Sequence, residues 1–348
     1  MSKIEITVPI RCEGRYRAIV HTGHEFDEFG NITKFGEVLR ETPFGKNIIT
    51  LIGFSKILQN QGGSMVMVAG SGNTAPVEGN TTLVAYLGKS NTIATQATTR
   101  NVSPDVNNEV WWRTTYRFSF GPETLGAGAI NVAEAGISTA VSINSVTSST
   151  TLLSRGLLVD GAGNPTTVSL NATTEFLDII WEYTEWVKAS VTGSVNLTID
   201  GVVTSHSYEV RPYYFDNVGG GYNYSGWADA GSLSIPGYST NNSKSGYPLS
   251  AATCAFAGPL VAITGNGLGN AAAANVPNLM STDAYVTNAK NRTFRTTWVP
   301  TEANIAGGVG VVRPNLGHAQ FQVSFTPKIA KIDTKQLDLY WTFAMANR

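Results

Sequence analysis

Apolar and polar residues alternate along much of the chain. In Trp111–Phe120, Trp112, Thr114, Tyr116, Phe118 and Phe120 fall on one side, and Arg113, Thr115, Arg117 and Ser119 on the other. Such alternation predicts a half-buried strand. The same period marks residues 1–20, where Ile4, Ile6 and Val8 share a face, and Phe176–Val187, where Trp181 and Tyr183 do. Shorter strands are predicted at Met65–Ala69, Thr82–Leu87, Leu152–Val159, Thr166–Leu170, Arg292–Val299, Phe321–Phe325 and Leu337–Phe343. Asp200-Gly201 marks a tight hairpin within Val191–Phe215.

Only one segment has helical spacing. Ile48, Leu51, Ile52, Ser55 and Leu58 predict a helix over 48–60, capped by Asn47 and ended by Gly62-Gly63. Residues 21–47 read as polar and turn-rich, and 216–281 as a loop-rich insertion. Loops of that length tend to be functional or to form interfaces. The fold class is mainly β: two related antiparallel sandwich-like units, 1–188 and 189–348, with one short N-terminal helix and the insertion in the second unit.

Two stretches repeat in the same order. The first runs Arg113-Thr114-Thr115, Asn131-Val132-Ala133, Asn164-Pro165, then Leu177-Asp178 with Trp181. The second runs Arg295-Thr296-Thr297, Asn304-Ile305-Ala306, Thr326-Pro327, then Leu337-Asp338 with Trp341. Repetition of this kind predicts duplicated β units with loops of different length. Short strands of Arg, Thr, Asn and Trp also recur by chance.

Charged residues make up 14% of the 348 residues, against about 25% in an average globular protein. With 36 Gly and many Ser, Thr and Asn, the surface is hydroxyl- and amide-rich. That composition favours strands and contact with other subunits. The net charge of −1 argues against a chain-wide attraction to nucleic acid. The alternating N-terminus lacks a signal-peptide core, and no run reaches the ~20 apolar residues of a membrane span. Synthesis in a cytoplasm is expected, with no membrane insertion. Asn101 and Asn196 open Asn-x-Ser/Thr triplets that this reading treats as coincidental. Cys12 and Cys254 form no C-x-x-C pair; a single bridge or two buried thiols both fit.

Chemistry is sparse. His21, His24, Glu25, Asp27 and Glu28 are the residue types that bind a divalent ion, but their spacing fits no zinc motif and reads as a solvated turn. The runs at Gly126, Gly265 and Gly307 lack the Lys-Ser/Thr of a phosphate loop. No G-x-S-x-G surrounds a serine. Asp178 with Glu182, or Glu175 with Asp178, share a strand and are the carboxylates available for glycoside chemistry. No catalytic residue, metal or cofactor is expected. Tyr213, Tyr214, Tyr222, Tyr224 and Trp227 offer flat apolar area with polar edges. They suit a protein or glycan contact, or packing of the insertion onto its own unit.

Several segments resemble virion structural proteins of tailed bacteriophages: Asn47-Ile48-Ile49-Thr50-Leu51-Ile52-Gly53, Asn131-Val132-Ala133-Glu134-Ala135-Gly136, Arg155 through Val168, and Phe325-Thr326-Pro327-Lys328-Ile329-Ala330-Lys331. Together they span about half the chain and leave 216–281 unmatched. The resemblance implies a tail-associated component of a short-tailed phage (sheath, collar or fibre base) and carries no active-site residue. Its expected partners are further copies of itself and other tail proteins, within the virion. The competing expectation is a receptor-binding fibre module whose aromatic loop contacts host surface glycan. A head decoration protein and a polysaccharide depolymerase rank below both.

Overall fold

The structure, a computed structural model, describes residues 2–29, 32–59, 64–101, 103–140, 146–147, 151–199, 201–212, 252–256, 276–282, 286, 289–300, 307–316, 319–331 and 334–348. The molecule is mainly β, and its antiparallel sheets include a curled half-barrel. One helix stands among the described residues.

Strand β1 (Ser2–His21) organises the fold. Its even-numbered residues Ile4, Ile6, Val8, Ile10, Cys12, Tyr16, Ala18 and Val20 are all buried, as a period of two requires of a strand with one face on a core. Its first half runs parallel to β22 (Leu337–Asn347), Ser2 opposite Leu337 and Cys12 opposite Asn347. Its second half runs antiparallel to β14 (Phe176–Lys188), Ile10 opposite Val187 and His21 opposite Phe176. The other edge of that half pairs with β4 (Val38–Glu41) and β5 (Gly45–Ile49).

From β1 the ladder extends in one direction through β14 to β9 (Glu109–Phe120) and β8 (Ile93–Asn101). Beyond β5 it continues to β12 (Leu152–Leu157), β11 (Glu134–Ala140), β6 (Ser64–Gly70) and β7 (Tyr86–Ser90). Across β22 it passes through β19 (Asn291–Trp298), β18 (Val276–Thr282), β17 (Ala252–Phe256), β20 (Val309–Leu316), β21 (Ala319–Ile329) and β16 (Val202–Pro212) to β15 (Val191–Ile199). Two short pairs complete the set: β2 (Glu25–Phe26) with β3 (Ile32–Lys34), and β10 (Ala129–Val132) with β13 (Val168–Asn171). One buried apolar cluster runs from Ile4 to Met345, through Tyr116, Trp181, Trp298 and Trp341.

The local expectations need four corrections. Helix α1 is Leu51–Gln59 and its cap is Thr50, whose Oγ1 accepts the Gly53 N–H at 2.9 Å. Asn47 and Ile48 belong to β5, so the buried helical face is Phe54 and Ile57. Gly53 interrupts the helical pattern because a Cβ there would overlap the Leu153 carbonyl of β12. The segment 21–47 contains β2 to β5, and the apolar run at 82–87 becomes strand only from Tyr86.

Candidate functional site

The aromatic residues Tyr213, Tyr214, Tyr222, Tyr224 and Trp227 lie outside the described residues. Among the described residues, His21, His24 and Asp178 come together where β1 ends. There Gly23 turns the chain at φ +105°, packed against the Phe176 ring, and Gly36 closes on the Gly23 backbone. A small arm, Thr22–Glu37, carries β2 and β3 and lays Phe35 against Arg117 of the sheet, while Phe26 and Phe29 are exposed.

Asp178 sits at the centre, fully buried on β14. Its Oδ1 accepts from Ser119 Oγ, and its Oδ2 from Arg117 Nε and from His24 Nε2 at 3.0 Å. His21 Nε2 lies 3.2 Å from Oδ1 but off the hydrogen-bond line, so it contributes charge–dipole attraction rather than an aligned bond. The two imidazoles stack, with centroids 4.1 Å apart and planes 12° from parallel. Phe35 meets His24 edge-on and lies under the Arg117 guanidinium, 4.4 Å from its centroid. His21 is thus buried and the His24 ring is covered though its backbone is partly exposed, where the sequence suggested a solvated turn. Glu25 and Glu28 are exposed and outside the cluster; the carboxylate comes from β14 instead.

The tautomers follow from the backbone. Gly23 N–H donates to His21 Nδ1 and Gly36 N–H to His24 Nδ1, each at 3.1 Å. A ring nitrogen that accepts carries no proton, so in each neutral imidazole the proton is on Nε2, and that of His24 points at Asp178. Burial would raise the Asp178 carboxyl, but the close His21 imidazole, the Ser119 hydrogen bond and the Arg117 charge outweigh it and hold it below its ordinary range. Burial lowers His24, and Asp178 only partly offsets this.

His21, His24 and Asp178 are close enough to share a metal ion, all ligand atoms within 4.8 Å. The arrangement does not suit one. A metal needs the Nε2 lone pairs and an Nδ1–H facing an acceptor, whereas both Nδ1 atoms here face donors. Nearly parallel rings do not aim two lone pairs at one point, and Arg117 already supplies the positive charge. The cluster is a closed tie between the arm and the sheet.

The second half contains its twin. Asp338 on β22 accepts from Thr297 Oγ1 at 2.6 Å, Arg295 Nη2 at 3.1 Å and Gln336 Nε2 at 3.1 Å. The registers coincide: Ser119 opposes Asp178 and Tyr116 opposes Trp181, while Thr297 opposes Asp338 and Phe294 opposes Trp341. Arg117 is therefore the counterpart of Arg295, four residues beyond the Arg113 that the sequence alignment selects. A shift of four keeps a strand's face unchanged, so alternation cannot detect it. The proline correspondence fails: Pro165 bridges Val159 across a turn, whereas Thr326 is inside β21 opposite Ser207. Asn304-Ile305-Ala306 lies outside the described residues.

The other carboxylates are also engaged. Glu182 pairs with Arg15 and Arg113. Glu175 pairs with Arg40 and accepts the Asn171 N–H, which lower its carboxyl. Neither Asp178 nor Glu175 has the raised carboxyl that a general acid needs. Glu134 and Arg155 are fully buried and paired, Nε to Oε2 at 2.8 Å. Arg155 also reaches Asn80 Oδ1 and Thr74 O, and Glu134 Oε1 accepts the Gly72 and Ala85 N–H groups. This pair straps the 71–85 loop to β11 and β12. Tyr183 donates to Glu185 at 2.6 Å beside the free thiol of Cys12, which burial and the Glu185 charge raise well above its ordinary range.

A surface groove of about 410 Å³ runs between Arg40–Pro43 and the 159–169 loop. Its charges are spoken for: Arg40 by Glu175, Glu41 by Arg17, and Asp160 by the N–H groups of Ala162 and Asn164. No helix among the described residues is long and apolar enough to cross a membrane. No protein-family model, curated protein or solved structure matches this chain.

Proposed function

We propose that this chain is a non-enzymatic structural component of a bacteriophage virion, in or at the tail, acting as a symmetric homo-oligomer. One observation carries the reading. Three segments that resemble phage virion proteins, around Asn47–Gly53, Asn131–Gly136 and from Arg155 onward, fall on β5, β11 and β12, which are adjacent strands. Thr50 Oγ1 donates to Leu152 O at 2.7 Å, and the Glu134–Arg155 pair joins the other two segments. Segments far apart in sequence thus form one packed unit. The engagement of the central carboxylates in ties supports a scaffold rather than a hydrolase.

The test is gold-labelled antibody against this chain on purified phage particles, viewed by electron microscopy. Label along the tail shaft or collar is the expected result. Label confined to fibre tips would favour the receptor-binding alternative. Intact particles without label, whose dissociated proteins also lack this chain by mass spectrometry, would overturn the reading.

A further inference from the structure

We propose that His24 is an acid-sensitive latch that holds the Thr22–Glu37 arm against the sheet and releases it when the imidazole takes a proton. The arm meets Asp178 through His24 Nε2 and covers Arg117 with Phe35. Its base is tied separately, by Thr22 N–H to Glu37 O at 3.2 Å and Glu37 N–H to Thr22 Oγ1 at 3.1 Å.

The geometry fits only the neutral ring. A second proton would go on Nδ1, where the Gly36 N–H already points at 3.1 Å. Two donors would then face each other and the Gly36 bond would be lost. The charges agree. At neutral pH one carboxylate, Asp178, is balanced by one guanidinium, Arg117. A proton on His24 adds an uncompensated positive charge to a knot whose His24 side chain is 2% exposed, stacked on His21. Of the other charged groups, Lys34 pairs with Glu25, Arg17 with Glu41 and Arg40 with Glu175, while Glu28 and Glu37 are exposed to solvent. Burial lowers His24, so the folded, latched state binds its proton less readily than the open state. Below the ordinary histidine range near pH ~6.5 the open state gains protons, and acid favours release. The Asp338 tie has Gln336 where the arm supplies histidine, so it is a control within the same molecule.

Hydrogen exchange of the full chain, corrected for intrinsic rates, tests this at pH ~7.5 and ~5. Protection over residues 23–36 should fall on acidification by up to ~10-fold per pH unit, the slope of one linked proton, while 291–298 and 337–347 keep theirs. The His24→Gln variant, whose amide can donate and accept without titrating, should show the same protection over 23–36 at both pH values. That holds whether the variant rests latched or open. Unchanged protection of the wild-type arm, or an equal acid loss in His24→Gln, would overturn the proposal.

Discussion

Arg155 is a buried charge whose environment leaves it little freedom. A guanidinium 1% exposed is tolerable only because Glu134, Asn80 and Thr74 take its N–H groups. Removing one partner leaves a buried charge, which costs about 3–5 kcal/mol. Glu134→Gln should therefore lower the unfolding free energy from chemical denaturation by that amount, whereas Glu5→Gln, on an exposed site, should leave it near the wild-type value. Asp178→Asn should destabilise the protein at neutral pH. Because the Asp178 carboxyl is held low in the folded state, its contribution is present above the ordinary aspartate range and lost as pH falls through the folded value. The variant should accordingly lose part of the wild-type acid slope below pH ~4, measured by urea titrations across pH. Cys12 is buried with its thiol raised. In a Cys254→Ala background it should react with a thiol reagent only as fast as the protein unfolds.

At the scale of elements, close backbone approach explains what composition leaves ambiguous. Gly53→Ala forces a Cβ into the Leu153 carbonyl, an overpacking of about 1–3 kcal/mol, although alanine is the better helix former. Thr50→Ala removes the cap and should cost about 1 kcal/mol. Gly161→Ala has nothing within reach of the new Cβ and should stay within about 0.5 kcal/mol. Thermal melts of the three variants rank the effects. The paired strands β9–β14 and β19–β22 share one register and one Arg-x-Ser/Thr tie to aspartate. The aromatic-Arg-x-Ser/Thr-aromatic string at Tyr116–Phe120 and Phe294–Trp298 was legible in the sequence. The competing Arg-Thr-Thr match at Arg113 concealed it, because both lie on the same strand face.

At the scale of the molecule, β1 belongs to both halves. Ile4, Ile6 and Val8 lie along β22, and Tyr16, Ala18 and Val20 along β14. A fragment ending at residue 188 would expose the first set, and one starting at 189 would leave β22 without its parallel neighbour. Neither fragment should give a cooperative unfolding transition alone. Mixing the two should restore one, as read by circular dichroism. Independent cooperative melting of each fragment would contradict this.

The sequence by itself determined the strand-rich class, the long strands at 1–20, 111–120 and 176–187, the hairpin after Ile199 and the helix following Thr50, because periodicity and turn residues are local properties of the chain. It also displayed the paired Asp178 and Asp338. Only the tertiary structure decided that His21 and His24 pack on Asp178, that Glu134 meets Arg155, and that β1 pairs with strands of both halves. Those facts depend on which strands become neighbours, across separations of 154 residues for His24 and Asp178 and 21 for Glu134 and Arg155. A side chain's protonation state and its partner are set by that neighbour, and alternation along one strand carries no information about it.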